Sequence, residues 1–418
     1  MNKRFVITNA ELNQQTFQVF AEYDERNRLR DVTCEPYGIE SILGNIYIGR
    51  VKDIVPNLNA AFIDIGNHVT CYYALEDLKS PVFTHKIGSK PLCEGDELVV
   101  QVTKEAVKTK FPVVSTNLNF AGNYVILTTE NHKLGVSGKL DNGKRTFFKE
   151  LFSDEDFTDY GLIIRTNAKN ADKDAVLTEF RELKQEYESL TQTCKGKTAF
   201  SCLKKAEPFY VKAIRTRTFD ETDQVITDNP SVYRELLASD CPQVKNDVMS
   251  VQFPFQLRLY EDASYPLLRL YPVTSGIEDA LKERVWLKSG AYLIISPTEA
   301  LTVIDVNSGK NSSNKSKQDN ILKINQESAI EIARQLRLRN ISGICIVDFI
   351  SMNSKKDIDE LMHTFRMALK EDTVSTQLID ITKLGLVELT RKKKKKSLYE
   401  QVFLRDKISK KMELTETG

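Results

Sequence analysis

Two similar segments, LTVIDVNSGK at residues 301–310 and ICIVDFISM at residues 344–352, indicate the fold class of the chain. In both, a short apolar run rich in β-branched residues leads directly into an aspartate, Asp305 or Asp348. Such runs are typical of parallel strands that are buried on both faces of a sheet. The intervening residues carry an apolar stripe at helical spacing, so the sequence predicts a strand–helix–strand unit with two neighbouring parallel strands.

Both aspartates are therefore expected at the carboxyl ends of parallel strands, where open α/β sheets bind ligands. A pair of carboxylates there suits Mg²⁺, which is commonly held by one or two carboxylates and water. A structural alternative stays open from the pattern alone, because an aspartate at a strand end is often a turn former or a helix N-cap. A nucleotide-binding sheet is excluded, because the Gly-Lys-Thr at residues 196–198 has Thr191 where a phosphate loop needs its first glycine.

Composition indicates a folded protein with no global charge field. The chain has 418 residues, of which 41% are hydrophobic, and its 59 Lys and Arg nearly balance 58 Asp and Glu. We expect about two to four domains and only local nucleic-acid-binding surfaces. No apolar run approaches the ~18 residues of a membrane span, and the start does not look like a signal peptide. The seven scattered cysteines favour a reducing cytoplasm, with each cysteine a small buried side chain.

The residues around the two aspartates resemble the ribonuclease E/G family. TEALTVIDVNSGK at residues 298–310, EIARQLRLR at residues 331–339 and GICIVD at residues 343–348 match its catalytic core in order and spacing. The resemblance extends from near Met1 to about Arg391. It implies an α/β multidomain fold, in which an oligonucleotide-binding (OB) fold barrel is inserted in a ribonuclease H-like subdomain and a deoxyribonuclease I-like α/β catalytic domain follows.

The resemblance also predicts domain boundaries. They are residues 1–38 and 207–280 for the ribonuclease H-like subdomain, 39–119 for the OB-fold RNA-binding barrel, 120–206 for a 5′-sensor region, 281–391 for the catalytic domain and 392–418 for a basic tail. Evenly spaced short strands after residue 44 independently predict a small closed barrel. The Lys-rich run at residues 391–396 is typical of a solvated segment that can contact phosphates.

In the family, the residues that match Asp305 and Asp348 hold the catalytic Mg²⁺, and the residue that matches Asn307 supports the first aspartate. Asn307 would then orient Asp305 from outside the metal's own ligand set. Lys310 is a candidate for facing the phosphate, although a flexible, exposed lysine is the more ordinary interpretation.

Three barrel residues match the family's RNA-contacting positions: Phe62, Tyr72 and Lys110. Exposed aromatic rings stack on bases, and a lysine neutralises phosphate charge. Without the resemblance, Phe62 and Tyr72 would be interpreted as residues of the barrel core.

A 5′-monophosphate pocket is also implied by the resemblance. Arg165 and Thr166 match its phosphate ligands, and Gly135 and Val136 match the loop that closes it. An arginine fork beside a hydroxyl is good phosphate chemistry. Where the family supplies a second arginine this chain has Ser375, so we expect weak discrimination of the 5′ end.

These features together predict a Mg²⁺-dependent endoribonuclease of the cytoplasm. It would cleave single-stranded rRNA precursors or mRNA, and the resemblance implies products with 5′-phosphate ends. The alternative is an RNA-binding scaffold of the same fold with weak or no nuclease activity. The family's subunits share a zinc ion on paired cysteines beyond the catalytic domain. This sequence has no cysteine after Cys345, so we expect any homodimer to form without that zinc link.

Overall fold

The computed structural model describes residues 3–38, 41–106, 110–215, 217, 219, 221–238, 255–309 and 317–403, with residues 317–319 described by their backbone alone. Its contacts divide the chain into two units. The first contains Met1–Gly38, Asp220–Tyr233 and Phe255–Leu404, and the second contains Ile39–Phe219, Arg234–Pro254 and Arg405–Gly418. Helices and several sheets occur in the same chain, so the prediction of a mixed α/β multidomain protein is confirmed.

The secondary structure is numbered in chain order. The strands are β1 (Arg4–Leu12), β2 (Gln15–Tyr23), β3 (Leu29–Pro36), β4 (Ile46–Val55), β5 (Ala60–Asp64), β6 (Thr70–Ala74), β7 (Phe83–His85), β8 (Glu97–Lys104), β9 (Val113–Ser115), β10 (Asn119–Ala121), β11 (Val125–Thr128), β12 (Leu134–Val136), β13 (Gly161–Ile164), β14 (Cys202–Lys204), β15 (Gln224–Thr227), β16 (Gln256–Leu259), β17 (Arg284–Trp286), β18 (Tyr292–Pro297), β19 (Leu301–Asn307), β20 (Gly343–Asp348), β21 (Thr376–Ile381) and β22 (Val387–Arg391). The helices are α1 (Asn142–Leu151), α2 (Lys173–Thr193), α3 (Phe209–Arg215), α4 (Pro230–Ala238), α5 (Leu267–Leu270), α6 (Val273–Leu281), α7 (Lys317–Leu338), α8 (Lys355–Lys370) and α9 (Leu398–Phe403).

The first unit contains a five-stranded sheet with the strand order β16-β15-β1-β2-β3. Strands β1, β2 and β3 are antiparallel, whereas β1, β15 and β16 are parallel. Alternate residues of β1, such as Val6 and Ala10, enter a core with residues of α5, α6 and α9. Chain segments that are far apart in sequence therefore share this core.

The second sheet of the first unit is six-stranded, with the order β17-β18-β19-β20-β22-β21. Strands β19 and β20 are parallel neighbours and α7 connects them, so the predicted strand–helix–strand unit is confirmed. The prediction that both strands are buried on both faces is wrong. Val303 and Ile344 are exposed, because α7 and α8 cover one face only and the opposite face is open.

The second unit contains a closed five-stranded barrel. Strands β4, β5, β6, β9 and β8 pair in a circle, which β4 and β8 close. Inward-facing residues of these strands form one core, among them Ile63, Tyr73 and Val100. Closure removes exposed strand edges, so a stable wall results from short strands. The barrel predicted from the evenly spaced strands is therefore present.

The same unit contains a four-stranded sheet with the order β10-β11-β13-β12. Helix α2 packs on it through an apolar stripe that includes Val176, Phe180 and Leu183. Glu179 lies on the same buried side of the helix, although its side chain is charged. Its backbone partners explain this position and are described below.

The Lys-rich run is anchored at both ends. Arg391 is buried and its Nε forms an ion pair with Oδ2 of Asp372 at 2.7 Å. Asn340 Nδ2 donates hydrogen bonds to the carbonyl oxygens of Lys395 (3.1 Å) and Lys396 (2.8 Å). The prediction of a solvated segment is wrong for Arg391, which is buried, whereas residues 392–395 are exposed and Lys396 is half-buried. The backbone of the run is held so that α9 can pack on the first sheet.

The cysteines are less uniform than expected. Cys34, Cys71, Cys194 and Cys345 are buried, and Cys93 is half-buried. Cys202 is exposed because it lies on β14, an edge strand of the barrel sheet, so the prediction of a buried side chain is wrong there. Cys241 lies outside the described residues.

Candidate functional site

Asp305 and Asp348 are brought together by the register of the parallel pair. They are direct partners on β19 and β20. Adjacent strands lie about 4.8 Å apart, and side chains of paired positions stand on the same face of a sheet. Asp305 is half-buried and Asp348 is exposed, both on the face that α7 and α8 leave open. The two carboxylates therefore stand side by side and are accessible to water.

Asn307 joins this pair from the same strand as Asp305. It lies two residues further along β19, on the same face, and its Nδ2 donates a hydrogen bond to Oδ2 of Asp305 at 2.7 Å. This bond fixes the orientation of one carboxylate. The three residues selected from the sequence thus occupy one site.

The donor set of this site fits Mg²⁺. It offers two carboxylates on an open surface, and Mg²⁺ retains several waters when it is bound by one or two carboxylates. Over the described ranges, no three His, Cys, Asp or Glu side chains converge as a closed metal cage would require. In this part of the chain the described residues therefore provide an open pair of carboxylates and not a closed cage.

Asn325 holds the chain that follows Asp348. Its side chain is fully buried in α7, where Nδ2 donates to the carbonyl oxygen of Ile350 (2.8 Å) and Oδ1 accepts from the Ile350 N–H (3.1 Å). Both polar groups of Ile350 are thereby satisfied two residues beyond the carboxylate. The sequence analysis missed Asn325, although it lies at helical spacing before Ala329 on an otherwise apolar stripe.

Gly309 allows the chain to leave β19 close to another turn. It has a φ of +64°, and a Cβ at this position would collide with the carbonyl oxygen of Gly290 in the turn between β17 and β18. Only glycine meets both conditions without strain. Lys310, the candidate for facing the phosphate, lies outside the described residues.

Phe62 and Tyr72 lie side by side on the outer wall of the barrel. They are direct partners on β5 and β6, and their ring centroids are 6.4 Å apart in an edge-to-face arrangement. Both are half-buried, whereas their strand neighbours Ile63 and Tyr73 enter the barrel core. Phe62 and Tyr72 therefore lie on the surface of the barrel and are not part of its core.

Phe111 adds a third ring that the sequence analysis missed. Its ring centroid is 5.3 Å from that of Phe62, and 51% of the residue is exposed. Lys110 precedes it and is exposed as well. The Tyr72 N–H donates to the carbonyl oxygen of Pro112 at 2.7 Å, which holds this segment against β6. Rings and a cation therefore share one surface, which we call the aromatic wall: Phe62, Tyr72, Phe111 and Lys110.

The four residues assigned to a 5′-phosphate pocket lie at the ends of two parallel strands. Val136 is the register partner of Ile164, so Gly135 and Val136 on β12 lie beside the end of β13, where Arg165 and Thr166 follow. The hydroxyls of Ser137 and Thr166 are 3.0 Å apart. The structure thus brings the predicted set together in the second unit.

Arg165 uses part of its hydrogen-bonding capacity within the protein. Its Nη1 donates to the carbonyl oxygen of Gly122. Burial lowers the pKa of its guanidinium, Glu179 opposes this effect, and the neighbouring Arg215 adds to it. Glu179 is held by the N–H groups of residues 123 and 124, and burial raises the pKa of its carboxyl despite these bonds. Two arginines thus face one buried acid, and Thr166 is exposed beside them.

Ser375 occupies the position where a second arginine was expected. It belongs to the first unit and lies just before β21. It is exposed, and its carbonyl oxygen accepts a hydrogen bond from the Lys392 N–H at 3.0 Å.

Comparison with known proteins identifies the group to which these features belong. The chain matches the Ribonuclease E/G family over residues 119–394, well over half of its length. The chain belongs to the ribonuclease E/G family. The matched region contains Asp305, Asn307 and Asp348, as well as Arg165 and Thr166, whereas the aromatic wall precedes it.

Relatives carry both names of the ribonuclease E/G family. The chain is 34% identical over 369 residues to a Ribonuclease E of Synechocystis sp., covering 86% of this chain and 53% of the relative. It is 31% identical over 382 residues to Ribonuclease E of Haemophilus influenzae, covering 89% and 40%. It is 29% identical over 387 residues to Ribonuclease G of Escherichia coli K12, covering 90% and 78%. The chain therefore spans about half the length of the ribonuclease E relatives that it matches.

One property expected from composition concerns membranes. Within the ranges that the structure describes, none of the helices combines the length and apolar character needed to cross a bilayer.

Proposed function

We propose that this protein is a Mg²⁺-dependent endoribonuclease that cleaves single-stranded RNA. Its substrates would be rRNA precursors or mRNA, its products would carry 5′-phosphate ends, and it would act in the cytoplasm. The observation that carries the proposal is the paired register of Asp305 and Asp348, with Asn307 bonded to Asp305, inside the region that matches the ribonuclease E/G family.

The proposed chemistry follows from the charge and position of these residues. Asp305 and Asp348 would hold Mg²⁺ through their oxygens on the open face of the sheet, and Asn307 would keep Asp305 in its orientation. When bound, Mg²⁺ supplies positive charge that stabilises the scissile phosphate during in-line displacement and makes water a better nucleophile. The open face leaves room for an extended strand, whereas a closed pocket would admit only a small ligand.

The aromatic wall is the proposed surface for RNA capture. Its three rings can stack on unpaired bases, and Lys110 can neutralise a phosphate between them. Stacking requires bases that are not already paired, so such a surface selects single strands over duplexes. The closed five-stranded barrel beneath the rings supports the proposal of an OB fold, which commonly presents such a surface.

We also propose fold assignments for the two sheets of the first unit. The order β16-β15-β1-β2-β3 supports a ribonuclease H-like subdomain, and the six-stranded sheet supports a deoxyribonuclease I-like catalytic domain. The domain boundaries predicted from the sequence are kept as part of this proposal. A homodimer formed without the family's zinc link also remains a prediction.

The pocket beside Arg165 is the proposed site for the RNA 5′ end. Thr166 offers a hydroxyl, Arg165 offers a cation, and Gly135 and Val136 border them on the neighbouring strand. Arg165 already donates to Gly122, so only part of its guanidinium serves a phosphate. A weak preference for 5′-monophosphate over 5′-hydroxyl RNA is therefore proposed.

A cleavage assay tests this function. The purified protein is incubated with a short, A/U-rich, 5′-monophosphorylated RNA in the presence of Mg²⁺ or EDTA. Internal cleavage that requires Mg²⁺ and leaves ends that ligate without prior phosphorylation is the expected result. Binding of the RNA without cleavage under both conditions would contradict the proposal and favour an RNA-binding scaffold.

A further inference from the structure

An exposed cluster of rings and charge lies on the first two strands of the six-stranded sheet. The ring centroids of Trp286 and Tyr292 are 5.2 Å apart, with 57° between their planes. Cζ of Arg284 lies 5.7 Å from the Trp286 ring centroid and 4.7 Å from the Tyr292 ring centroid. We call these three residues the Trp286 cluster. Trp286 is 64% exposed, more than any other aromatic residue that the structure describes.

The register of the strands places this cluster on the same face as the carboxylate pair. Trp286 is the partner of Tyr292, and Tyr292 is in turn the partner of Asn307. Because partners across neighbouring strands share a face, the rings and the carboxylates of Asp305 and Asp348 project from the same side. Strand β17 lies two strands from β19, a separation of about 10 Å at the usual spacing.

The exposure of Trp286 is not required by packing. On β18, Leu293 and Ile295 point to the opposite face and supply the contacts to the core. The Trp286 ring instead leaves a large apolar surface in water, which is unfavourable unless a ligand covers it. One side of the cluster is already filled by Arg284, which stacks on both rings, so the exposed part of the Trp286 ring remains accessible.

The chemistry of the cluster fits a nucleotide. An aromatic ring can stack on any of the four bases, and an arginine beside the ring attracts the phosphate next to that base. The cluster is continuous with the open face that carries the carboxylate pair. An unpaired base of a strand lying across that face would meet Trp286 close to the phosphate at Asp305. A duplex would not present such a base.

We propose that the Trp286 cluster is a stacking subsite that holds an unpaired base beside the scissile phosphate of single-stranded RNA. The inference rests on the proposed function, because it takes the carboxylate pair as the place of cleavage. Stacking positions the strand and does not read hydrogen-bonding groups. The subsite therefore contributes register and affinity and accepts any base.

Intrinsic fluorescence gives a direct test, because Trp286 is the sole tryptophan of the chain. The protein is titrated in EDTA with a short, single-stranded, A/U-rich RNA, while binding is followed independently by the anisotropy of a dye on the RNA. Saturable quenching that tracks binding is expected, and the same sequence annealed to its complement should leave the fluorescence unchanged. Binding without any change in fluorescence would overturn the proposal.

Variants and altered substrates identify the base that stacks. Trp286→Ala should lower kcat/KM for cleavage roughly 5- to 150-fold, the usual range for one lost stacking contact, whereas Trp286→Phe should retain most of it. Tyr399→Ala is the matched control, because Tyr399 is 56% exposed in the same unit but belongs to α9.

An abasic scan of the RNA separates stacking from a structural role, and its measurements on the wild-type protein and on Trp286→Phe remain informative if Trp286→Ala does not fold. One position near the cleavage site should lower kcat/KM for the wild-type protein when its base is removed. In Trp286→Ala the same abasic position should have no further effect. If no position near the cleavage site behaves in this way, the ring is not a stacking subsite.

The results also distinguish this inference from the proposed function. Mg²⁺-dependent cleavage that is unaffected by Trp286→Ala, with no quenching, would overturn the subsite and leave the nuclease intact; the exposed ring would then serve another partner, such as a protein. Quenching by single-stranded RNA without any cleavage would support the stacking surface and overturn the nuclease.

Discussion

Asp305 and Asp348 are register partners on two adjacent parallel strands, so their carboxylates stand side by side on the open face of the six-stranded sheet. Two negative groups at that spacing repel each other unless a cation lies between or above them. A cation held by both carboxylates would remove this repulsion, which is the physical basis for treating them as a candidate cation site.

Asp305→Asn and Asp348→Asn should each reduce RNA cleavage more than about a hundredfold. The amide removes a charged ligand, and several kcal/mol of charge stabilisation in the transition state are lost with it. Cleavage rates at saturating RNA and Mg²⁺ measure the effect, with RNA affinity expected to stay near that of the wild type. Asp380→Asn, an exposed carboxylate on β21, is the control. Near wild-type cleavage by either variant would show that the pair does not hold the metal.

Asn325→Ala should weaken both stability and the use of Mg²⁺. Removing the amide leaves the half-buried N–H and carbonyl of Ile350 without their partner, which costs up to roughly 1–3 kcal/mol for each unsatisfied group. The chain after Asp348 then loses its fixed position, so a higher Mg²⁺ concentration should be needed for half-maximal cleavage. Denaturant unfolding and Mg²⁺ titrations measure the two effects. Gln326→Ala, which removes an exposed bond to Glu360, is the matched control.

A purely structural role for Asn325 predicts a different result. The variant would then be less stable, but the folded fraction would cleave RNA with an unchanged Mg²⁺ dependence.

Phe111→Ala should weaken binding of single-stranded RNA by ~1–3 kcal/mol if its ring stacks on a base, as Phe62→Ala and Tyr72→Ala should. Because Phe111 is largely exposed, its removal should barely change the melting temperature. Phe147→Ala, another exposed ring of the same unit, is the control and should bind RNA normally. Lys110→Ala should instead reduce the slope of log K against log salt by about 1. Loss of folding in the aromatic variants, rather than of affinity, would make these rings structural.

The 5′ end should be recognised only weakly. Matched RNAs with a 5′-monophosphate or a 5′-hydroxyl should differ in cleavage rate by less than about tenfold, because one charge-assisted contact worth roughly 1.5–3 kcal/mol is absent with Ser375. Thr166→Val should reduce the remaining difference without altering the rate on 5′-hydroxyl RNA, which serves as the internal control. A preference well above tenfold in the wild-type protein would show that another cation replaces the missing arginine.

Asp96→Asn should destabilise the barrel at neutral pH. Burial opposes ionisation of Asp96, but hydrogen bonds from the Ile87 N–H, the Lys86 ammonium and the Cys93 N–H outweigh it and lower the pKa of the carboxyl below its usual 3.8. The folded state therefore favours the charged form. Its stabilising effect is present above the unfolded pKa and is lost as pH falls through the lower, folded value.

Unfolding curves of the wild type and Asp96→Asn should thus differ by roughly 1.5–3 kcal/mol near pH 7, the range for a charge-assisted bond, and converge below about pH 4. Asp64→Asn provides a control on a half-buried carboxylate of the same barrel. A difference that persists unchanged into acid would show that charge on Asp96 is not the cause.

The carboxylate pair and Asn307 were predictable from the sequence. The two apolar runs ending in Asp305 and Asp348 fixed a parallel pair, and the resemblance supplied Asn307. Burial on both faces was predicted wrongly, because an apolar run does not show how many faces of the sheet the helices cover. Val303 and Ile344 are apolar and yet exposed.

Residues whose role depends on distant segments could not be found in this way. Phe111 could not be selected from the sequence, because its contact with Phe62 depends on the folding of the barrel. Trp286 could not be selected either, because its position relative to Asn307 depends on the registers of two strand pairs. Glu179 looked like an ordinary polar position of α2, and its backbone partners lie more than fifty residues away. Asn325 differs from these residues, because a polar side chain at helical spacing on an apolar stripe is visible in the sequence.

The pairing of β1 with β15 has a consequence for synthesis on the ribosome. Thr8 and Asp228, which meet beside this pairing, are 220 residues apart in the chain. At about 5–20 residues per second, the first strand must wait on the order of ten seconds or more for its parallel neighbour to be made. During that time β1, β2 and β3 can form only a three-stranded antiparallel sheet with an unpaired, apolar edge. Until β15 has emerged, this nascent edge is a natural substrate for chaperones and is exposed to aggregation.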